Sequence, residues 1–293
     1  SINIGLHPAI YVASCFEPPT TPLGFDELSI AGALLDGVPV RLAPCVSVAA
    51  KAIADAEVVI EGEVLPHERV AEDAGAAEPG WAMPEFPGYL GRAQASVPVI
   101  RVRAITHRRQ PIYQTLVGPG AEHTNLVGIP VEASILRLVE TAMPGRLVNV
   151  YAHPSGGGKY IAILQFRKAS PSDEGRQRQA ALSAFAAFPE LKHVILVDED
   201  VDIFDTNDVL WAMTTRYQGD RSTVFIPGVR CHPLDPSQSP DFSPLLPAEG
   251  TSCKTIFDCT VPYHLRDRFL RPRFAEVNLS RFFPNGLGPA PRL

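Results

Sequence analysis

Residues 192–217 read KHVILVDEDVDIFDTNDVLWAMTTRY. Val194, Ile195, Leu196 and Val197 make an uninterrupted apolar run, the mark of a strand buried on both faces of a parallel sheet. The run stops at Asp198-Glu199-Asp200-Val201-Asp202. Asp205 then stands as the cap of a helix reaching about Tyr217, with Val209, Leu210 and Met213 turned inward. Strand, acidic loop and capped helix make an α/β unit. The acids admit two readings, ligands for a magnesium ion at the strand's carboxyl end or helix-capping groups left in solvent. Spacing alone favours the second.

The flanking chain extends the same unit. Residues 173–188 predict a helix ended by Pro189, and residues 147–152 and 160–166 predict strands. Between those strands, Ser155-Gly156-Gly157-Gly158-Lys159 is not a phosphate-binding loop: the first glycine of that motif falls on His153, and Tyr160 replaces its Ser or Thr. A glycine hairpin turn accounts for it. Upstream, a helix is predicted over about 131–143, with Ile135, Leu136 and Val139 on one face. Downstream, a strand at 224–226 leads into a Pro/Ser loop over 233–249. The tail from 261 to 293 alternates basic and apolar residues, has no core of its own, and is expected to pack on this domain or on another subunit.

The amino-terminal half reads differently. Ile2 to Leu6 is a strand already under way, residues 10–15 suit either a buried helix or a strand, and Asp26 caps a predicted helix over 27–35 closed by Gly37. Four short Val/Ile-rich strands follow, at 38–42, 57–64, 97–106 and 112–117, a series expected to pair antiparallel in a small barrel. The stretch 61–91 joins two of them across the barrel mouth, turning through Pro66 and running as an acidic loop to Pro84-Glu85-Phe86-Pro87-Gly88-Tyr89. Its carboxylates lie among Trp81, Met83, Phe86 and Tyr89. An apolar setting raises a carboxyl pKa and makes a proton donor; the plain alternative is a solvated loop rich in Glu.

Composition narrows the function classes. A net charge of -6 over 293 residues, without a basic stripe, argues against nucleic acid or an anionic membrane as partner. No apolar run is long enough to span a bilayer. Five cysteines without a CxxC pair suit reduced thiols in a cytoplasmic protein. With Ser1 opening directly into a strand and no signal peptide, the chain reads as part of a longer polypeptide.

Three stretches together carry a family resemblance: Gly5-Leu6-His7-Pro8-Ala9; Gly24-Phe25-Asp26-Glu27-Leu28 with Ala31-Gly32 and Ile60-Glu61-Gly62; and the run from Lys192 to Arg216. In order and spacing they resemble the UbiD family of prenylated-FMN-dependent decarboxylases of aromatic and α,β-unsaturated acids. The resemblance covers the chain from its first residue to about Arg216 and weakens beyond Asp235. It implies a split β-barrel cofactor domain over 1–122, incomplete at its amino end, a linking helix over 123–145, an α/β domain over 146–260 used for assembly, and an inter-subunit tail over 261–293.

The resemblance also implies roles. Glu85-Phe86-Pro87-Gly88-Tyr89 is similar to the second half of the family's active-site loop, which makes Glu85 the proton donor. Glu72 is most similar to the second acid, with Glu78 competing for that role. Glu27 matches the carboxylate that ligates the cofactor's metal, for which manganese is the expected ion and potassium a further one. His232 and Leu234 in Arg230-Cys231-His232-Pro233-Leu234, with His123, resemble positions lining the substrate pocket; a His there could bond a phenol hydroxyl, and each is otherwise an ordinary loop residue. The family's catalytic Arg and the Asn and His that join Glu27 on the metal have no counterpart here, nor does its phosphate-contacting Lys, at whose place stands Ala186 or a neighbour. The implied protein is a homo-oligomer, dimer or hexamer, that removes CO2 from a hydroxylated aromatic acid and receives its cofactor from a flavin prenyltransferase. It is expected to be inactive as this fragment. Two other readings stay open: a non-catalytic assembly subunit, which the missing Arg favours, and a flavin-binding oxidoreductase.

Overall fold

The computed structural model describes residues 1–17, 21–238, 251–272, 274–275 and 277–283. The amino-terminal half opens with β1 (Ile2–Ile4), α1 (Pro8–Ala13) and α2 (Glu27–Leu34). It continues through β2 (Leu42–Pro44), β3 (Lys51–Ile53), β4 (Val58–Val70), β5 (Trp81–Pro84), β6 (Leu90–Arg92) and β7 (Val97–His107). These strands form three small sheets, β1-β4-β7, β2-β3 and β5-β6, all antiparallel. No closed barrel forms among the described residues.

Local chemistry explains where elements begin and end. Asp26 caps α2 by accepting the Leu28 N–H at 2.9 Å, and the Gly37 N–H closes the helix end on the Gly32 carbonyl. Two expected strands are not formed as drawn. Over 38–40 the chain does not pair and Val40 packs on the cluster of Ile10 and Ala31; the first backbone bond to β3's side is the Ala54 N–H to the Arg41 carbonyl at 2.9 Å, and the ladder runs from Leu42. Residues 112–117 have no ladder partner among the described residues: the Ile112 N–H donates to the Glu57 carboxylate, and Ile112, Tyr113 and Val117 stay exposed. Pro66 does not turn the chain, because β4 runs through it to Val70 against β7.

The second half comprises α3 (Ala121–Ala142), β8 (Leu147–Ala152), β9 (Ile161–Phe166), α4 (Arg176–Ala187), β10 (His193–Asp198), α5 (Thr206–Arg216), β11 (Thr223–Arg230) and β12 (Thr251–Asp258). Its sheet has the order β11-β12-β10-β9-β8, with β9, β10 and β12 parallel and the two edge strands antiparallel. Successive residues of β9 and β10 face opposite sides. Leu164, Phe166, Val194 and Leu196 pack under α3 and α4, whereas Ile163 and Val197 pack with Val209 and Ala212 of α5. Four small residues of α4, Ala180, Ala181, Ala184 and Ala187, let that helix approach the sheet closely.

The apolar run of β10 is buried on both faces, as its composition predicts. Asp205 caps α5 through the Asn207 N–H at 2.9 Å, and Val209 is inward, but Leu210 faces solvent. Helix α3 begins some ten residues earlier than predicted and keeps Pro130 in its interior. Strand β12, which separates β10 from β11, was not predicted, and most of the loop before it lies outside the described residues. Of the tail, Arg266 and Arg271 pack on the α/β half, Arg271 forming a salt bridge with Asp208 at 2.8 Å. No described helix is long and apolar enough to cross a membrane.

Candidate active site

The stretch predicted as an acidic loop contains a two-stranded arm, β5 and β6, whose tip is 85–89. The Glu85 N–H donates to the Tyr89 carbonyl at 2.8 Å, and the Gly88 N–H donates to the Glu85 carbonyl at 2.9 Å. Pro87-Gly88 makes the turn. Glu85 is half-buried and its side chain folds back over Gly91, where a Cβ would stand 2.8 Å from the carboxyl oxygen Oε1. The apolar surround expected of Trp81, Met83 and Tyr89 is not formed, since all three are exposed. Phe86 alone is buried, at 5 % exposure.

Phe86 connects residues that are remote in sequence. Its ring meets His232 edge-on at 4.7 Å between centroids, Tyr160 at 5.0 Å and His123 at 6.5 Å. The Lys159 ammonium lies 5.7 Å from its centroid. The expected acid Glu85 is thus one residue away from a side chain in contact with both expected histidines. His232 is buried; its Nδ1 accepts the Leu234 N–H at 3.0 Å, and its Nε2 lies 3.4 Å from Glu190 Oε2. Burial, with the nearby Lys159 charge, pushes its pKa down to about 4, so the imidazole is neutral near pH 7. Leu234 therefore enters the site through its backbone. Lys159 is held by Glu190 at 3.0 Å and Glu17 at 3.5 Å. Among the described residues the buried Tyr160 hydroxyl has no hydrogen-bond partner, and burial with the charges of Asp235 and Glu190 pushes its pKa up.

The other predicted acids lie differently. Glu72 is exposed and braces the base of the arm: its N–H donates to the Gln94 carbonyl, and its carboxylate accepts the Gln94 N–H, both at 2.9 Å. Glu78 is exposed on the loop before β5. Glu27 is exposed in the first turn of α2, and among the described residues no three His, Cys, Asp or Glu side chains gather into a metal site. Glu61 is buried, accepting the Val46 and Ser47 N–H groups and the Ser47 hydroxyl at 2.7–2.9 Å. The Ser47 hydroxyl and the Val46 amide hold its pKa below the usual carboxylate range.

Sequence reasoning placed Phe86 only in the apolar surround of the loop's carboxylates, and gave Tyr160, Lys159 and Glu190 no part in the site. The one available signal was Gly156-Gly157-Gly158, read as a turn, since glycines in a strand connection also mark close backbone approach.

Among the described residues the acids after β10 form no metal site; Glu199, Asp200 and Asp202 are exposed, as expected of solvated groups, but Asp198 and Asp200 are also paired with a buried arginine. Arg216, its side chain 2 % exposed, donates to Asp198 at 2.9 Å and to both oxygens of Asp200 at 2.8 and 2.6 Å. Burial pushes both carboxyls up; at Asp198 it prevails, whereas at Asp200 the paired Arg216 bonds outweigh it. A cavity of about 500 Å³ opens there, lined by Lys168, Asp198, Asp200, Arg216, Arg266 and Arg271, and by none of the expected site residues.

Two family profiles match the chain: the 3-octaprenyl-4-hydroxybenzoate carboxy-lyase Rift-related domain over residues 1–121 and the C-terminal domain of the same carboxy-lyase over 124–259. A gallate decarboxylase of Lactiplantibacillus plantarum is 52% identical over 94% of this chain and 56% of its own length. The apo structure of a 3,4-dihydroxybenzoic acid decarboxylase from Enterobacter cloacae superposes with a TM-score of 0.87 at 60% identity, over 97% of this chain and 58% of that one. The UbiD-class enzyme HmfF from Pelotomaculum thermopropionicum, in complex with FMN, gives 0.82 at 38% identity over 96% and 58%. An evolved dimeric form of HmfF has been solved with prFMN. The chain thus spans little more than half the length of these relatives.

Proposed function

We propose that this chain, which belongs to the UbiD family of carboxy-lyases, is the proton-delivering part of a decarboxylase acting on a hydroxylated aromatic acid, with Glu85 as the acid. The observation that carries this reading is the contact of Phe86 with His232 and His123. It puts the residue next to Glu85 against the two side chains expected to meet the substrate, from segments far apart in the chain. The relatives named for gallate and 3,4-dihydroxybenzoic acid support a ring bearing hydroxyl groups. The exposed apolar strands β4 and β7 support reading the amino-terminal half as part of a split barrel.

The family's cofactor is prenylated FMN with a divalent metal, manganese being the one we assign. The chain's donors fit this in part. Glu27 offers an exposed carboxylate, a hard oxygen ligand suited to manganese, as one member of a shell whose other ligands are not gathered among the described residues. When bound, the prenylated flavin supplies the electron sink that loss of CO2 requires. The chain itself handles the proton. The Glu85 carboxyl hands it to the carbon that has lost CO2, and in the reverse direction takes it away. Neutral His232 keeps its Nε2–H for an acceptor, Glu190 or a ring hydroxyl, while Leu234 fixes the tautomer through Nδ1. Glu72 is assigned as the second acid by resemblance; its geometry gives it the further task of bracing the arm. All five cysteines are unpaired, which supports a reducing, cytoplasmic setting.

The test is Glu85→Gln in the full-length, cofactor-loaded protein. Flavin absorbance should be retained, while decarboxylation and solvent deuterium exchange into product fall by ~10²–10⁴-fold. A loss under about tenfold would assign the proton to another group.

A further inference from the structure

We propose that Phe86 is a positioning residue: seated in a socket on the α/β half, it anchors the arm and fixes where Glu85 stands relative to that half. The functional consequence rests on Glu85 as proton donor; the anchoring rests on geometry alone. Strands β5 and β6 contain four and three residues, and an isolated hairpin of that size is marginal in water. Trp81, Met83, Tyr89 and Leu90 of the arm are all exposed, by 41% to 64%. Phe86 differs from all of them.

The socket is assembled from three separate segments: His123 near the start of α3, Lys159 and Tyr160 before β9, and His232 after β11. Three aromatic edges meet the ring at 66–73° between planes, the arrangement that opposes ring face to ring edge. The Lys159 ammonium adds a cation–π contact. The walls have partners besides the ring, His232 in Leu234 and Lys159 in Glu190 and Glu17. Gly157 makes the floor. Its φ is +62°, and a Cβ there would collide with Phe86 Cδ2 and stand 2.9 Å from the Phe86 carbonyl oxygen. A Cβ at 157 would force Phe86 or the 157 backbone to shift.

The experiment is amide hydrogen exchange and steady-state kinetics on the full-length, cofactor-loaded protein. In Phe86→Ala, exchange across 85–91 should quicken at least about tenfold, because the tip can open without the rest unfolding. Turnover, kcat, should fall by a similar factor while KM moves less. Phe86→Met should recover most of both, since a flexible apolar side chain refills the socket. Gly157→Ala should reproduce the Phe86→Ala pattern from the opposite wall; if it fails to fold, the Phe86 pair still decides. Unchanged exchange in Phe86→Ala overturns the anchor. A lower KM with unchanged kcat overturns it too, by making Phe86 a plug in an aromatic substrate's place. Faster exchange with unchanged kcat, while Glu85→Gln is inactive, overturns the positioning role. Faster exchange with both variants active upholds the anchor and refutes Glu85 as the donor.

Discussion

In the five-stranded sheet Leu164, Phe166, Val194 and Leu196 are fully buried, whereas on β4 and β7 Val64, Val102 and Ile105 are 63%, 49% and 61% exposed. The ion pairs differ in the same way. Arg216 clamps two carboxylates at the carboxyl end of β10 with its side chain 2 % exposed, while Arg103 and Glu63, paired across β7 and β4, are both about half exposed. The α/β half carries a two-sided core of its own. The other half carries the candidate acid on an arm with almost no core of its own, so the rigidity Glu85 needs is borrowed from the α/β half through one aromatic ring. A site on such an arm can move without unfolding the domain that anchors it.

Three measurements sharpen or break this contrast. The largest effect is expected from Arg216→Ala, which leaves Asp198 and Asp200 without their buried counter-charge. Removing one partner of a buried pair typically costs about 3–5 kcal/mol, read by urea denaturation. A change under about 1 kcal/mol would place that network among surface pairs and remove the contrast.

Next comes His232, where the two halves meet. Its pKa falls from the usual 6.5 to about 4 in the folded chain, so the unfolded chain binds the extra proton first as pH drops. The stability tied to the neutral ring is fully present above about pH 6.5 and is lost as pH falls toward 4. The full shift is on the order of 3 kcal/mol at most. His232→Gln should flatten the denaturation midpoint between pH 7 and pH 4.5, leaving a residual slope from His153 and His193, whose pKa values burial also lowers. An unchanged slope would mean that this contact does not exclude the proton.

The smallest effect is expected at Arg103→Ala, within ~0–1 kcal/mol of the parent. A larger loss in the same denaturation series would show the β4–β7 surface to be packed against further chain in the full-length protein.

What the sequence alone determined is what short-range chemistry controls. Asp26 and Asp205 were legible as caps because a cap needs only an acceptor beside the first free N–H groups. The run Val194–Val197 was legible as a strand buried on both faces because nothing else uses four consecutive aliphatic residues there. The motif carrying Glu85 was legible as loop but not as the tip of a two-stranded arm, because β5 and β6 exist only through their pairing with each other. Residues 112–117 show the limit: their composition is that of a strand, but a strand exists only with a ladder partner, and that is a tertiary fact. Leu210 shows another, since the face a short helix buries depends on what lies beneath it. The partners of Asp198 and Asp200, the insertion of β12 beside β10, and the seat of Phe86 against His232 were decided by the fold alone. Each joins groups separated by many residues, and local preference carries no information about which distant surface arrives. Only the packing of the α/β half brings His123, Tyr160 and His232 to one point, and only Gly157 leaves room there for a ring.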